Sequence, residues 1–129
     1  MDDRIARALS HGHVIDITTI GRRTGQPRRI EMVFHAIGGR IFISGMPRAD
    51  RERAWLKNLR ADPRFTFHLK GAVAADLPAM ARIVTDESER RAILEHVARA
   101  WNRTDVAFMV EHSPLIEVAI EGYPPAIAA

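Results

Sequence analysis

Residues 14–44 read VIDITTIGRRTGQPRRIEMVFHAIGGRIFIS, three alternating runs separated by two glycine-bearing breaks. Val14–Ile20 is rich in β-branched residues, with Asp16 and Thr18 on one face. Such side chains suit a pleated, half-buried surface. In Arg28–Ile37, Ile30, Met32, Phe34 and Ala36 share one face, and Arg29, Glu31, Val33 and His35 share the other. A period of two predicts a strand. Pro27 lacks a ladder donor, so this strand is expected to settle only after it. Gly38-Gly39 admits the positive φ values of a tight primed turn, so Arg40–Ser44 is expected to return antiparallel. Residues 13–45 therefore predict a three-stranded antiparallel meander.

The first break, Gly21–Arg29, holds four arginines, two glycines and a proline. Guanidinium forks match phosphate oxygens, and glycine lets backbone N–H groups come close. Taken alone, the stretch suits either an anion-binding turn or a solvated hairpin tip with a surface charge cluster.

Towards the N-terminus, Ile5, Ala8 and Leu9 recur at helical spacing and predict a short helix over 3–9, broken by His11-Gly12-His13. His11 and His13 would share a strand face, but the pattern offers no third ligand, and no metal site is expected.

Towards the C-terminus, Asp50 is expected to cap a helix running through Arg60, with Trp55, Asn58 and Leu59 on one side. Asp62-Pro63 ends it. Phe65, Phe67 and Leu69 mark another strand, with Thr66 and His68 on its opposite face; Lys70-Gly71 turns the chain. Val73–Val84 is a long extended run in which Pro78 predicts a bulge or an edge. Asp86 and Glu89 resemble a capping pair for a helix with the stripe Ile93, Leu94, Val97 and Trp101. A second short helix over 104–112 is expected to stop near Pro114. Leu115–Glu121 reads as a last strand, with Ile116, Val118 and Ile120 on one face, and the tail GYPPAIAA over 122–129 as loose. Six strands with antiparallel connections favour a closed or nearly closed barrel, because closure removes exposed edges.

A chain of 129 residues that is 47% hydrophobic can bury one domain's core, and residues 1–129 are expected to form a single domain. With no cysteine, disulfides, thiol catalysis and zinc–thiolate sites are excluded. The start, MDDRIARALS, has acids where a secretion signal carries positive charge, and no apolar run reaches the roughly 18 residues of a membrane span. A cytoplasmic location is the expectation. The net charge of +3 is modest, but its arginines crowd into 21–29 and 48–64. This is focused attraction for a small acidic ligand. Aromatics make up only 6% and are not interleaved with the basic residues, unlike a nucleic-acid stacking platform.

The block DITTIGRRTGQPRRIEMVF, then IFISG, then RAWLKNLRADPRFTF, resembles the deazaflavin-dependent nitroreductase family of the split β-barrel flavin-binding superfamily. The likeness covers about residues 14–70: the Gly21–Arg28 turn, Ser44 at a strand end, and Trp55, Asn58, Leu59 and Pro63 in a W-x-x-N-L-x-x-x-P pattern. Where that family often has Gly-Gly and His-Pro before the tryptophan, this chain reads GMPRADRERAW, and its one tyrosine is Tyr123.

The resemblance implies a mainly β fold with α: a six-stranded antiparallel split β-barrel with short flanking helices. It implies coenzyme F420 as cofactor, with FMN as the alternative. Arg23, Thr24, Gly25, Gln26, Pro27 and Arg28 would hold the cofactor phosphate. Ile43, Ser44, Gly45 and Met46 would lie along the ring, and Trp55 and Asn58 would close the pocket. The implied reaction is hydride transfer from reduced F420 to a small organic acceptor such as a quinone, nitro compound or enone. A homodimer is implied as the assembly. No catalytic acid, base or nucleophile is required of the protein, since the ring carries the hydride.

Two other classes share the turn: an FMN-binding flavin reductase or pyridoxamine-phosphate-oxidase-like protein, and a non-enzymatic binder of nucleic acid or another anion. Each singled-out residue also has a plainer role open to it. Ser44 could bond its own backbone, Trp55 could be core, and Asn58 could be a solvent-facing amide. His35 could donate a proton to substrate or be a satisfied surface histidine, while His68, His96 and His112 show no partner by sequence.

Overall fold

In the computed structural model, which describes residues 1–123, the strands pair in the order β1-β2-β3-β6-β5-β4 and close into a barrel. The meander is its first half: β1 (Val14–Ile20) pairs with β2 (Pro27–Ile37), and β2 with β3 (Arg40–Ser44). Gly38 and Gly39 join the latter pair with φ of 59° and 76°, the double positive that a primed turn needs. The other half is β4 (Arg64–Leu69), β5 (Ala75–Ile83) and β6 (Leu115–Ile120), all antiparallel. β1–β4 and β3–β6 pairings seal the two seams.

The barrel interior follows from the alternation. Ile15, Ile17, Phe34, Ile41, Ile43, Phe65, Phe67, Ile116, Val118 and Ile120 pack into one buried cluster. Helix α1 (Asp3–Leu9) adds Ala8 and Leu9 to it, and helix α2 (Ala54–Ala61) adds Trp55, Leu56 and Leu59.

A second cluster lies outside the barrel. Helices α3 (Glu87–Ala100) and α4 (Val106–His112) present Ile93, Leu94, Val97, Ala98, Met109 and Val110 to Phe42 and Leu115, the outward residues of β3 and β6. Phe42 and Leu115 are thus buried on the outer face of their strands because the two helices cover it. Across the same region Glu117 of β6 accepts from Arg40 of β3 at 2.7 and 2.8 Å and from Arg82 of β5 at 2.8 and 3.1 Å. Arg82 also donates to Glu89 of α3 at 2.7 and 3.0 Å.

Several expectations are corrected. Asp50 does not cap α2: the helix starts at Ala54 with Arg53 as N-cap, and Asp50 instead pairs with Arg48 at 2.7 Å. A nearby guanidinium outcompetes a helix start for a carboxylate. Pro78 makes no bulge: the β4–β5 register runs unbroken from Arg64↔Met80 to Leu69↔Ala75. Proline is tolerated there because β6 pairing begins only at Ala79, one residue later. β2 begins at Pro27 itself, opposite Ile20. Asp86 does cap α3, accepting from the Glu89 amide at 2.9 Å, but the Glu89 carboxylate goes to Arg82 rather than back to the cap. Of the tail expected to be loose, residues 124–129 lie outside the described residues. Among the described residues no helix is long and apolar enough to cross a membrane.

Candidate functional site

The turn between β1 and β2 is closed by its own backbone. Gly21 N–H donates to the Gln26 carbonyl and Gly25 N–H to the Gly21 carbonyl, both at 2.8 Å. Thr24 Oγ1 accepts from the Gln26 amide at 3.2 Å. Gly25 has φ of 70°, a left-handed conformation that glycine adopts without the usual Cβ penalty. The apex is therefore a fixed shape.

Asn58 ties helix α2 to this turn. Its Nδ2 donates to Thr19 Oγ1 at 3.1 Å, and its Oδ1 accepts from the Arg22 amide at 3.1 Å and from Arg22 Nη1 at 3.3 Å. Asn58 is 5% exposed and Thr19 1%. The amide thus faces inward, and its position in mid-helix, poor for propensity, is explained by what it holds.

Between turn and helix opens a cleft of about 460 Å³, within the range of small-molecule sites. Arg22, Arg23, Thr24 and Arg28 line it from the turn side, and Arg53 and Asn58 from α2. Ile30, Ala54 and Trp55 supply an apolar portion. Among the described residues four arginines face the cleft and no carboxylate does. None of the four is ion-paired with a described residue, whereas Arg29, just outside the cleft, is paired with Asp16 at 3.0 Å. Arg53 donates from Nη2 to the Met46 carbonyl at 2.7 Å, while its Nε is buried with no partner among the described residues. A buried unpaired N–H costs roughly 1–3 kcal/mol. An oxyanion seated in the cleft is the chemistry that would satisfy these donors.

The structure brings together Arg23, Thr24, Arg28, Trp55 and Asn58 of the anticipated set. Trp55 has both roles considered for it: it is 8% exposed, part of the core cluster and part of the cleft wall. Gly25, Gln26 and Pro27 form the apex rather than the lining. Ile43 and Ser44 end β3 inside the protein, where Ser44 Oγ donates to the Pro114 carbonyl at 2.7 Å. Gly45 packs so closely that a Cβ there would lie 3.2 Å from Pro114 Cγ and 3.8 Å from Arg53 Nη2. Met46, half exposed, reaches the cleft only through its carbonyl on Arg53.

Sequence reasoning missed Arg22, Thr19, Ile30, Arg53 and Ala54. Thr19 carried a signal: it falls on the inward face of β1 after Ile15 and Ile17, and a hydroxyl there needs a buried partner. Arg53 carried only the crowding of arginines over 48–64, which did not single it out, because its role depends on where β3 ends.

The histidines are placed differently from expectation. His35 is neither at the surface nor in the cleft; it is 9% exposed, edge-on to Trp101 at 5.3 Å between centroids, with Nε2 lacking a partner among the described residues. Burial lowers its pKa below the usual histidine value. His68, without a partner by sequence, has two. Its Nδ1 lies 2.6 Å from Asp76 Oδ1 and its Nε2 2.6 Å from Thr18 Oγ1. This hydrogen bond to His68 holds the Asp76 carboxyl below its ordinary range. The row crosses β5, β4 and β1 on the outer face, away from the cleft.

Barrel and cleft together define a split-barrel protein with an arginine-lined cleft beside its first turn. In fold, the chain is similar to a putative pyridoxamine 5'-phosphate oxidase from Listeria innocua, at 18% identity over 92% of each chain with a TM-score of 0.66. It is similar to a conserved hypothetical protein from Mycobacterium tuberculosis, at 22% identity over 94% of this chain and 81% of that one, TM-score 0.68. It is also similar to an F420-H2 dependent reductase, at 16% identity over 82% of this chain and 93% of that one, TM-score 0.60. At these identities the likeness is one of fold. The family model for F420H(2)-dependent quinone reductase matches residues 1–121, and the chain belongs to that family. It is a deazaflavin-dependent oxidoreductase.

Proposed function

We propose that the arginine-lined cleft receives the phosphate-bearing portion of coenzyme F420, and that the enzyme reduces a small organic acceptor, a quinone first, with nitro compounds and enones as chemically related alternatives. The observation that carries this is the cleft's donor set: four arginines facing one space, with no ion-pair partner and no opposing carboxylate among the described residues. Uncompensated cations so grouped favour an anion strongly, and guanidinium forks favour phosphate geometry.

When bound, the deazaflavin ring supplies the hydride. The chain's own residues bind and orient. Arg23 and Arg28 hold the phosphate, Thr24 and the turn Gly25-Gln26-Pro27 keep those side chains in register, and Asn58 fixes Arg22 against α2. Trp55 closes one wall and excludes water. Met46, joined to the cleft through its carbonyl on Arg53, flanks the ring, while Ile43, Ser44 and Gly45 hold that loop from inside the protein. A homodimer is the assembly we propose; a solved structure of the same fold is described as a domain-swapped dimer.

Each Arg–phosphate bond contributes on the order of 1.5–3 kcal/mol. Arg23→Ala and Arg28→Ala are therefore expected to weaken F420 binding tens-fold or more in a fluorescence titration, with FMN titrated beside it. Quinone-dependent oxidation of reduced F420, followed by absorbance, reads the reaction. Unchanged F420 affinity in both variants rejects the phosphate assignment. Tight FMN with weak F420 rejects the cofactor.

A further inference from the structure

The second arginine-rich stretch, 48–64, is not absorbed by the cleft. On the other flank of the α2 start, and sharing Arg53 with it, lies a separate cavity of about 410 Å³. Arg48, Arg51 and Arg60 reach it from the 48–60 stretch, Arg90 from α3, and Ser113 from the end of α4. Glu52 and Glu111 also line it, so five arginines, Arg53 included, stand against two carboxylates.

At this cavity one buried hydroxyl lacks a partner and one partly buried cation lacks a counter-charge. Ser113 is 4% exposed, and its Oγ has no hydrogen-bond partner among the described residues. The Arg90 guanidinium is partly buried and is held by three backbone carbonyls: Val84 at 2.9 Å, Val110 at 2.8 Å and Ser113 at 2.6 Å. It has no carboxylate partner among the described residues, so carbonyl dipoles but no counter-charge face it beneath the cavity. Burying an unpaired charge is unfavourable, and a nearby anion relieves it. Arg51 is exposed and also free of an ion pair among the described residues, whereas Arg48 and Arg60 are paired with Asp50 and Glu52.

We infer that this cavity is a second oxyanion site, taking a carboxylate-bearing small molecule between Arg51, the Ser113 hydroxyl and the field of Arg90. Its chemistry is independent of the phosphate site. A separate acidic acceptor or effector brings the group, so the site does not rest on the proposed F420 cleft.

The probe is citrate, titrated by calorimetry into the protein without cofactor. Wild type is expected to bind it. Arg51→Glu is expected to weaken binding by roughly tenfold or more, as loss of a charge-assisted bond plus repulsion implies. Ser113→Ala is expected to weaken it several-fold. It should leave stability intact, since it removes a hydroxyl with no partner. Citrate also suits the four-arginine cleft, so the second site is read in the Arg28→Ala protein, where the binding that Arg51→Glu removes is expected to persist. That binding is expected to persist with F420 preloaded as well, and its loss there overturns a separate site. No citrate binding, or binding that is indifferent to Arg51→Glu and lost in Arg28→Ala, overturns the site. Failure of F420 to bind, with citrate binding intact, overturns only the cofactor assignment.

Discussion

Replacing Asn58 by alanine separates structural from cofactor roles more cleanly than removing an arginine. The change strips a buried amide of three contacts: Thr19 Oγ1 at 3.1 Å, the Arg22 amide at 3.1 Å and Arg22 Nη1 at 3.3 Å. Thr19 is fully buried, so its hydroxyl loses its partner where water does not reach, at a cost of about 1–3 kcal/mol. Arg22 is exposed, so water replaces much of what its amide loses, and that contact adds at most about 1 kcal/mol. Alanine returns roughly 0.5 kcal/mol as the better helix former. The expected net loss is about 1–3 kcal/mol, read by urea denaturation with the slope unchanged. F420 affinity should fall as well, because the turn is no longer registered against α2. The pair Asn58→Leu with Thr19→Val removes both polar partners. It is expected to recover most of the stability, since neither group is then orphaned, but not the affinity, since Arg22 remains untied. If Asn58→Ala unfolds at wild-type denaturant concentration and binds F420 as tightly, the amide is not the tie described here.

Gly25→Ala should destabilise by roughly 1 kcal/mol and loosen the turn: nothing crowds a Cβ there, but φ of 70° strains any side-chain-bearing residue. Melting temperature and F420 titration measure the two effects. His35 has a pKa lowered by burial, so the unfolded chain binds more protons in the acidic range. Stability should be complete above the ordinary histidine pKa of about 6.5 and fall as pH drops below it. His35→Gln should flatten that slope; an identical slope in the variant assigns it elsewhere. Glu117 is held below its usual carboxylate range first by its bond to Arg40, then by Arg82. Its contribution is present above the ordinary glutamate pKa and lost as pH falls below it. Glu117→Gln at neutral pH should cost on the order of 1 kcal/mol, given that the arginines are substantially exposed. Most of that difference should vanish in acid, as denaturation at two pH values would reveal.

Local chemistry made most of the barrel legible. The period of two placed Ile15, Ile17, Phe34, Phe67, Ile116 and Val118 inside. Paired glycines set the β2–β3 turn, and Asp86 announced α3. The basic turn and the Trp55–Asn58 spacing were also visible, because residues three apart on a helix share a face whatever surrounds it. Tertiary structure alone decided the rest. Whether Asp50 capped a helix or met Arg48 was a competition between partners in space. Phe42 and Leu115, outward residues on their strands, became core only because α3 and α4 cover them. Arg53 entered the cleft because β3 happens to end beside α2, and Arg22 was held because Asn58 comes across from α2 to meet it. Alternation and turn chemistry act between neighbours along the chain. Compensation of a buried charge or hydroxyl acts between groups that only folding brings within a few ångströms.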